Sequence, residues 1–276
     1  MAQRLISAFI VAAIFAVLLF LSDISIILNI AVSILSVIAL SEVLVVTKYL
    51  ESKSLMLISL LFAFLIPFMP NLQISPYAFV AGIYVFSMIL FVSLIFSHKT
   101  YSLEHLSVVF LMSIIIPFFF STIINIKHMA SGDFNLIFVF LCAWATDTGG
   151  FVMGNIFGRH KLTPEISSKK TIEGAIGAIC AAIVTTICFG YLVDMFTADI
   201  SINYLALAVY AFLGSIVAIA GDLIASLIKR NFGVKDFGKL IPGHGGIMDR
   251  FDSVLFVSPF IYICLQTFPI FCSIIE

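Results

Sequence analysis

A chain of 276 residues that is 62% hydrophobic and only 11% charged lies far from an ordinary soluble domain, where about 45–50% apolar and about 25% charged residues are typical. Its formal net charge of −1 says little by itself, and nothing in the composition points to nucleic acid. The expectation is an all-α polytopic membrane protein, because backbone amides in lipid must be bonded within their own segment.

In chain order, MAQRLISAFIVAAIFAVLLFLS places one arginine before an apolar run and lacks a convincing small-x-small cleavage site. Residues 5–21 therefore read as a first span rather than a signal peptide. Further apolar segments follow at 24–46, 55–69, 77–96, 106–125, 135–157, 172–194, 203–228 and 252–275, which makes nine. The third is short for a span of about 20 residues and ends at Pro67 and Pro70. A cytoplasmic N-terminus puts Arg4, Lys48, Lys53, Lys99, Arg159, Lys161, Lys169, Lys170, Lys229, Arg230, Lys235, Lys239 and Arg250 on the inside. Of the 14 basic residues that leaves only Lys127 outside, as the positive-inside rule requires. The expected topology is N-terminus in the cytoplasm and C-terminus outside. Cys142, Cys180, Cys188, Cys264 and Cys272 sit in apolar runs without ligand spacing and read as small buried hydrophobes.

Acidic side chains within spans are costly and are functional candidates by default. Glu42, near the cytoplasmic end of the second span, can snorkel or pair with Lys48 in a structural role. Asp147, in WATDTGG, has Thr146 and Thr148 beside it and suggests a lined cavity. Asp222 shares a helix face with Ser215, Ser226 and Lys229, roughly 10 Å below the following loop at 1.5 Å per residue. Asp249 and Asp252, in MDRFDS, project from one side of a helix start, where a capping role would explain one of them but not readily both. Gly150, Gly154 and Gly158, with Gly174, Gly177, Ala178 and Ala181, form small-residue ladders that let helices approach closely.

Two loops remain for chemistry, FGRHKLTPEISSKKT (157–171) and the stretch 229–251. Carboxylates are oxygen ligands for Mg²⁺, lysine and arginine neutralise phosphate, and the glycines of PGHGG would let backbone amides approach an anion. Together they describe a phosphate-handling site at the membrane surface. His244 reads equally as a proton carrier, a phosphate donor or a loop hydrogen-bonder. The expected division is 1–130 as a scaffold of five helices and 131–276 as a catalytic part with four helices and both loops.

Ser226-x-x-Lys229-Arg230-x4-Lys235-Asp236-x5-Pro242-Gly243-His244-Gly245-Gly246-x-x-Asp249-Arg250-x-Asp252 resembles the C-terminal signature of the phosphatidate cytidylyltransferase, or CDP-diacylglycerol synthase, family. Asp147-Thr148-Gly149, Gly158-Arg159-His160-Lys161-Leu162 and Ser167-Ser168-Lys169-Lys170-Thr171-x-Glu173-Gly174 are similar to a second block of that family. Ser168 stands where the family usually has proline, and Ile172 where it often has tryptophan. The resemblance implies CTP and phosphatidate as substrates, Mg²⁺ alone or with a second metal ion, a homodimer among membrane lipids, and a site facing the cytoplasm of a bacterial inner membrane. On that basis Asp222, Asp249 and Asp252 are expected at the metal, and Asp222, Asp249, Lys170, Arg250 and His244 in catalysis. Ser167, Lys169, Thr171, Glu173, Asp147, Ser226, Lys229, Arg230, Lys235 and Asp236 are expected to bind substrate. Two other classes stay open from the residues: a CTP-dependent polyprenol kinase, and an ion-coupled transporter using Asp147 and Asp222 as relays. Matched broken helices would support the transporter, and the sequence has no such pairing.

Overall fold

The computed structural model describes residues 25–47, 53–71, 75–99, 101–240 and 245–273. The first expected span, Lys48 and His244 lie outside the described residues. Eight α-helices are present among them, and each falls on one of the remaining apolar segments: α1 Ser25–Thr47, α2 Lys53–Leu65, α3 Pro76–Phe96, α4 Leu103–Lys127, α5 Gly132–Phe157, α6 Ile172–Phe196, α7 Tyr204–Asn231 and α8 Met248–Thr267. Six of them (α1 and α3 to α7) are long and apolar enough to cross a membrane. The chain is thus an integral membrane protein of mainly helical build. The short third segment is a 13-residue helix that tightens into a 3₁₀ turn at Ile66–Phe68, where Pro67 removes a backbone donor.

Two features amend the all-helical expectation. Lys161–Thr163 (β1) pairs antiparallel with Ser167–Thr171 (β2), and Ile200–Ile202 (β3) with Phe271–Ser273 (β4). The ninth apolar segment, expected to stay helical to 275, leaves the helix at Thr267, and residues 271–273 become the strand that pairs β3. Pro269 accounts for the break, since it cannot continue the ladder and restricts the residue before it.

The chain forms two compact units. One comprises the residues up to Ile124 together with Asp236–Arg250. In it the fully buried Asn29 of α1 donates its side-chain amide to the Pro67 carbonyl (3.1 Å) and accepts from Asn71 (3.0 Å). A buried amide in an apolar setting needs such partners, and these pin the 3₁₀ turn to α1. Phe62 of α2 stacks on Phe86 of α3 with ring centroids 4.8 Å apart.

The other unit comprises Asn125–Lys235 and the residues from Phe251 onward. Its closest helix pair is α5 with α6, and glycine makes that closeness possible. A Cβ on Gly174 would stand 3.0 Å from the Gly150 carbonyl oxygen, and one on Gly149 or Gly177 would collide with Ala181 or Met153. In lipid, where burial of apolar surface does not drive helices together, such contact is a main source of association. Tyr210 of α7 donates its hydroxyl to the carbonyls of Cys264 and Phe268, both at 3.0 Å, and so closes the end of α8. Of the cysteines only Cys142 is buried; Cys180 and Cys188 are exposed on α6, and all five are free thiols.

Candidate functional site

In the second unit, the β1–β2 ribbon and helices α5, α7 and α8 supply the charged groups. Strand β2 delivers Lys170, whose Nζ lies 2.6 Å from Oδ2 of Asp222 on α7. One helical turn later, Ser226 donates its hydroxyl to Oδ1 of Asp222 (3.4 Å). Asp147 of α5 is exposed and accepts a hydrogen bond from the Ser253 hydroxyl at 3.0 Å. Asp252 is buried, and its Oδ1 accepts from the backbone N–H of Ser253 (2.9 Å). Its carboxylate feels the negative charge of Asp222 and Asp147 and the opposing charge of Lys229, itself buried. Three carboxylates from three helices and two lysines therefore gather in this unit. Ser253 was missed from sequence; its place directly after Asp252 was the available signal.

The ribbon is held shut at its base. The Glu173 carboxylate accepts from the backbone N–H of Arg159 (3.0 Å) and of His160 (3.2 Å), and pairs with His160 Nδ1 at 2.6 Å. Thr171 caps α6, its hydroxyl accepting from the Gly174 N–H at 3.1 Å. These two expected substrate residues thus already have protein partners that shape the ribbon. Ser167 is half-buried in β2 and Lys169 is exposed. After α7, Arg230 is exposed and donates to the Val234 carbonyl (3.1 Å) across a turn in which Gly233 has φ +67°, and Lys235 is exposed beyond it.

In the first unit, the segment 236–250 is bound by two carboxylates. Oδ2 of Asp249 accepts from the N–H of Gly246 (3.0 Å) and of Phe237 (2.8 Å). Glu42 of α1 accepts from the N–H of Ile247 through Oε1 (3.0 Å) and of Met248 through Oε2 (2.9 Å). Three successive amides at the start of α8 thus bind the protein's own carboxylates. Of the PGHGG turn, expected to bring backbone amides to an anion, the Gly246 amide binds Asp249, and the next two amides, Ile247 and Met248, bind Glu42. Glu42 likewise does not simply snorkel, but binds a turn two hundred residues away. Asp236 and Arg250 are exposed in this segment.

Among the described residues, no three histidine, cysteine, aspartate or glutamate side chains stand close enough to hold a metal by themselves. A hard divalent cation such as Mg²⁺ needs fewer, since it binds through one or two carboxylates and completes its shell with phosphate oxygens and water. Asp222 and Asp252 fit that donor chemistry.

The profile of the Cytidylyltransferase family matches residues 2–268. The chain is 45% identical over 130 residues to a protein of Staphylococcus haemolyticus named phosphatidate cytidylyltransferase, covering 47% of this chain and 48% of that one. A Bacillus subtilis protein of the same name is 38% identical over 172 residues, 62% of each chain. One from Staphylococcus aureus is 43% identical over 130 residues, 47% of this chain and 48% of the other. The matches thus span from about half to 62% of the length of these curated relatives.

Proposed function

Because this chain belongs to the Cytidylyltransferase family, we propose that it transfers a cytidylyl group from CTP to phosphatidate, giving CDP-diacylglycerol and diphosphate. The observation that carries this reading is the gathering of Asp147, Asp222 and Asp252 with Lys170 and Lys229, a set suited to phosphates and a hard cation. The names of the relatives point to the same reaction.

A phosphate oxygen of phosphatidate attacks the α-phosphorus of CTP. A new P–O bond forms as the bond to the β-phosphate breaks, and diphosphate leaves with the electron pair. Two anions must meet, so charge neutralisation and in-line placement supply most of the acceleration. Lys170 and Lys229 hold phosphate oxygens, with Arg230 as a further cationic contact; Arg250 and His244 are proposed for catalysis on the sequence signature alone. Lys170 is released from Asp222 as substrate phosphate takes its place. Asp222 and Asp252 are the residues assigned to Mg²⁺, which when bound neutralises phosphate charge and polarises the reacting phosphorus. Asp249, expected at the metal, also closes the 236–250 segment, where its Oδ2 takes two backbone N–H groups.

The proposal includes nine spans with the N-terminus cytoplasmic and the C-terminus outside, a bacterial inner-membrane setting with the site on the cytoplasmic face, and a homodimer. Helices before residue 130 act mainly as scaffold and those after it carry the chemistry. The test is the purified protein in lipid micelles with CTP, Mg²⁺ and phosphatidate. Lipid-linked cytidine is expected. Transfer of the γ-phosphate alone to a lipid alcohol, or no labelled lipid at all, would overturn the assignment.

A further inference from the structure

Glu42 belongs to the helical part expected to be scaffold, yet its carboxylate reaches the charged segment directly. Both of its oxygens are used, one on the Ile247 N–H (3.0 Å) and one on the Met248 N–H (2.9 Å). The neighbouring amide, Gly246, is taken by Asp249. The backbone around Glu42 is shaped to admit it. A Cβ on Gly238 or on Gly246 would collide with its carboxylate oxygens, so both glycines leave the space it fills. The α1 face around it is well packed, with Ala39, Leu40, Val43 and Leu44 buried, and this fixes where the carboxylate stands.

Those contacts have a consequence for the groups that follow. The first amides of a helix lack intrahelical partners, and a carboxylate that binds two of them sets the position and direction of the first turn. Here that turn carries Asp249 and Arg250. A capping residue normally comes from the adjacent chain; this one is 205 residues away. A local cap would hold the turn in shape, whereas a remote one also holds it in place against α1.

We propose that Glu42 is a positioning residue for Arg250: by binding the amides of Ile247 and Met248 it holds the 236–250 segment, and with it the first turn of α8 from which Arg250 acts on CTP phosphate. This rests on the function proposed above. Glu42 touches no substrate; it acts through the backbone it binds.

The experiment compares the full-length wild type with Glu42→Ala and Glu42→Gln, all purified in the same lipid micelles. Two readouts are taken: kcat and KM for CTP in the lipid-linked cytidine assay, and hydrogen–deuterium exchange of peptides covering 245–250. In Glu42→Ala the KM for CTP should rise about 10-fold, within what a misplacement of about 1 Å can cost. A smaller fraction of folded enzyme would lower apparent kcat and leave KM unchanged. Glu42→Gln keeps one oxygen acceptor and should rise only about 3-fold, a partial rescue. Exchange at 246–248 should quicken by about 10-fold in Glu42→Ala while peptides from α4 and α5 keep their protection. The proposal is overturned if KM for CTP stays within about 2-fold in both variants, or if exchange at 246–248 is unchanged. Should Glu42→Ala fail to fold, Glu42→Gln decides by the same two readouts. An inactive wild type would sink the proposed reaction, while the exchange data would still decide whether Glu42 holds the segment.

Discussion

Lys170 at the end of strand β2 and Asp222 in the middle of helix α7 form an ion pair at 2.6 Å, 52 positions apart in the chain. The pair is partly open, with side-chain exposures of 22% and 30%, so its worth to folding is small, about 1 kcal/mol or less. In the reaction proposed above, this part-exposed pair exchanges partners when substrate phosphate binds. Asp222→Asn should therefore abolish activity without unfolding the protein. The expected result is a loss of roughly 100-fold or more in lipid-linked cytidine, with a thermal midpoint close to wild type. Retained activity at normal expression would remove Asp222 from the site.

Ser253→Ala tests whether Asp147 takes part. The Ser253 hydroxyl is the donor to Asp147 Oδ1 at 3.0 Å, and hydrogen bonds to charged groups contribute about 1.5–3 kcal/mol. If Asp147 must be held in one orientation for turnover, kcat/KM should fall about 10-fold. The methyl side chain leaves no clash, so detergent-solubilised stability should drop by no more than about 3 kcal/mol. An unchanged kcat/KM would remove Asp147 from the site.

Gly177→Val probes the seam between α5 and α6. A side chain there would run into Met153, and Gly177 is fully enclosed by the facing helix. Overpacking of this kind costs about 1–3 kcal/mol, and because this seam lies beside β2 and Asp147, activity should fall with stability. A thermal melt in detergent reads the first effect and the cytidine assay the second. A variant with the wild-type melting curve would mean that the helices can separate without penalty.

Tyr210→Phe removes the hydroxyl that binds the carbonyls of Cys264 and Phe268. These bonds close the far end of α8, away from its charged first turn. The variant should lose about 1–2 kcal/mol of stability while kcat/KM stays within about 2-fold of wild type. A large loss of activity at unchanged stability would show that the end of α8 is coupled to the chemistry.

Much of the architecture was legible in the sequence because hydropathy is a local property. A run such as YLALAVYAFLGSIVAIAGDLIASLIKRN has one stable state in lipid, and α7 occupies Tyr204–Asn231. The glycine ladder was legible for a similar reason, since a spacing of four places small residues on one helix face. Less legible was the end of the ninth segment. Its apolar residues continue past Pro269, and only the pairing of Phe271–Ser273 with Ile200–Ile202 makes a strand the better solution. The ribbon at 161–171 was hidden too, because SSKKT has no alternating pattern, and its closure depends on Glu173 reaching back to Arg159 and His160.

The sequence by itself determined that this chain lives in a membrane, where its long helices run, and that basic residues cluster in two polar stretches while acidic ones stand within or beside the spans. Those conclusions rest on composition and spacing, which act over a few turns of helix. Only the tertiary structure decided which partner each polar group takes. Lys170 meets Asp222, Ser253 meets Asp147, and the amides of 246–248 go to Asp249 and Glu42. The physical reason is that a buried amide or carboxylate must be satisfied by whatever the fold brings within about 3 Å, and that choice is made between segments far apart in the chain.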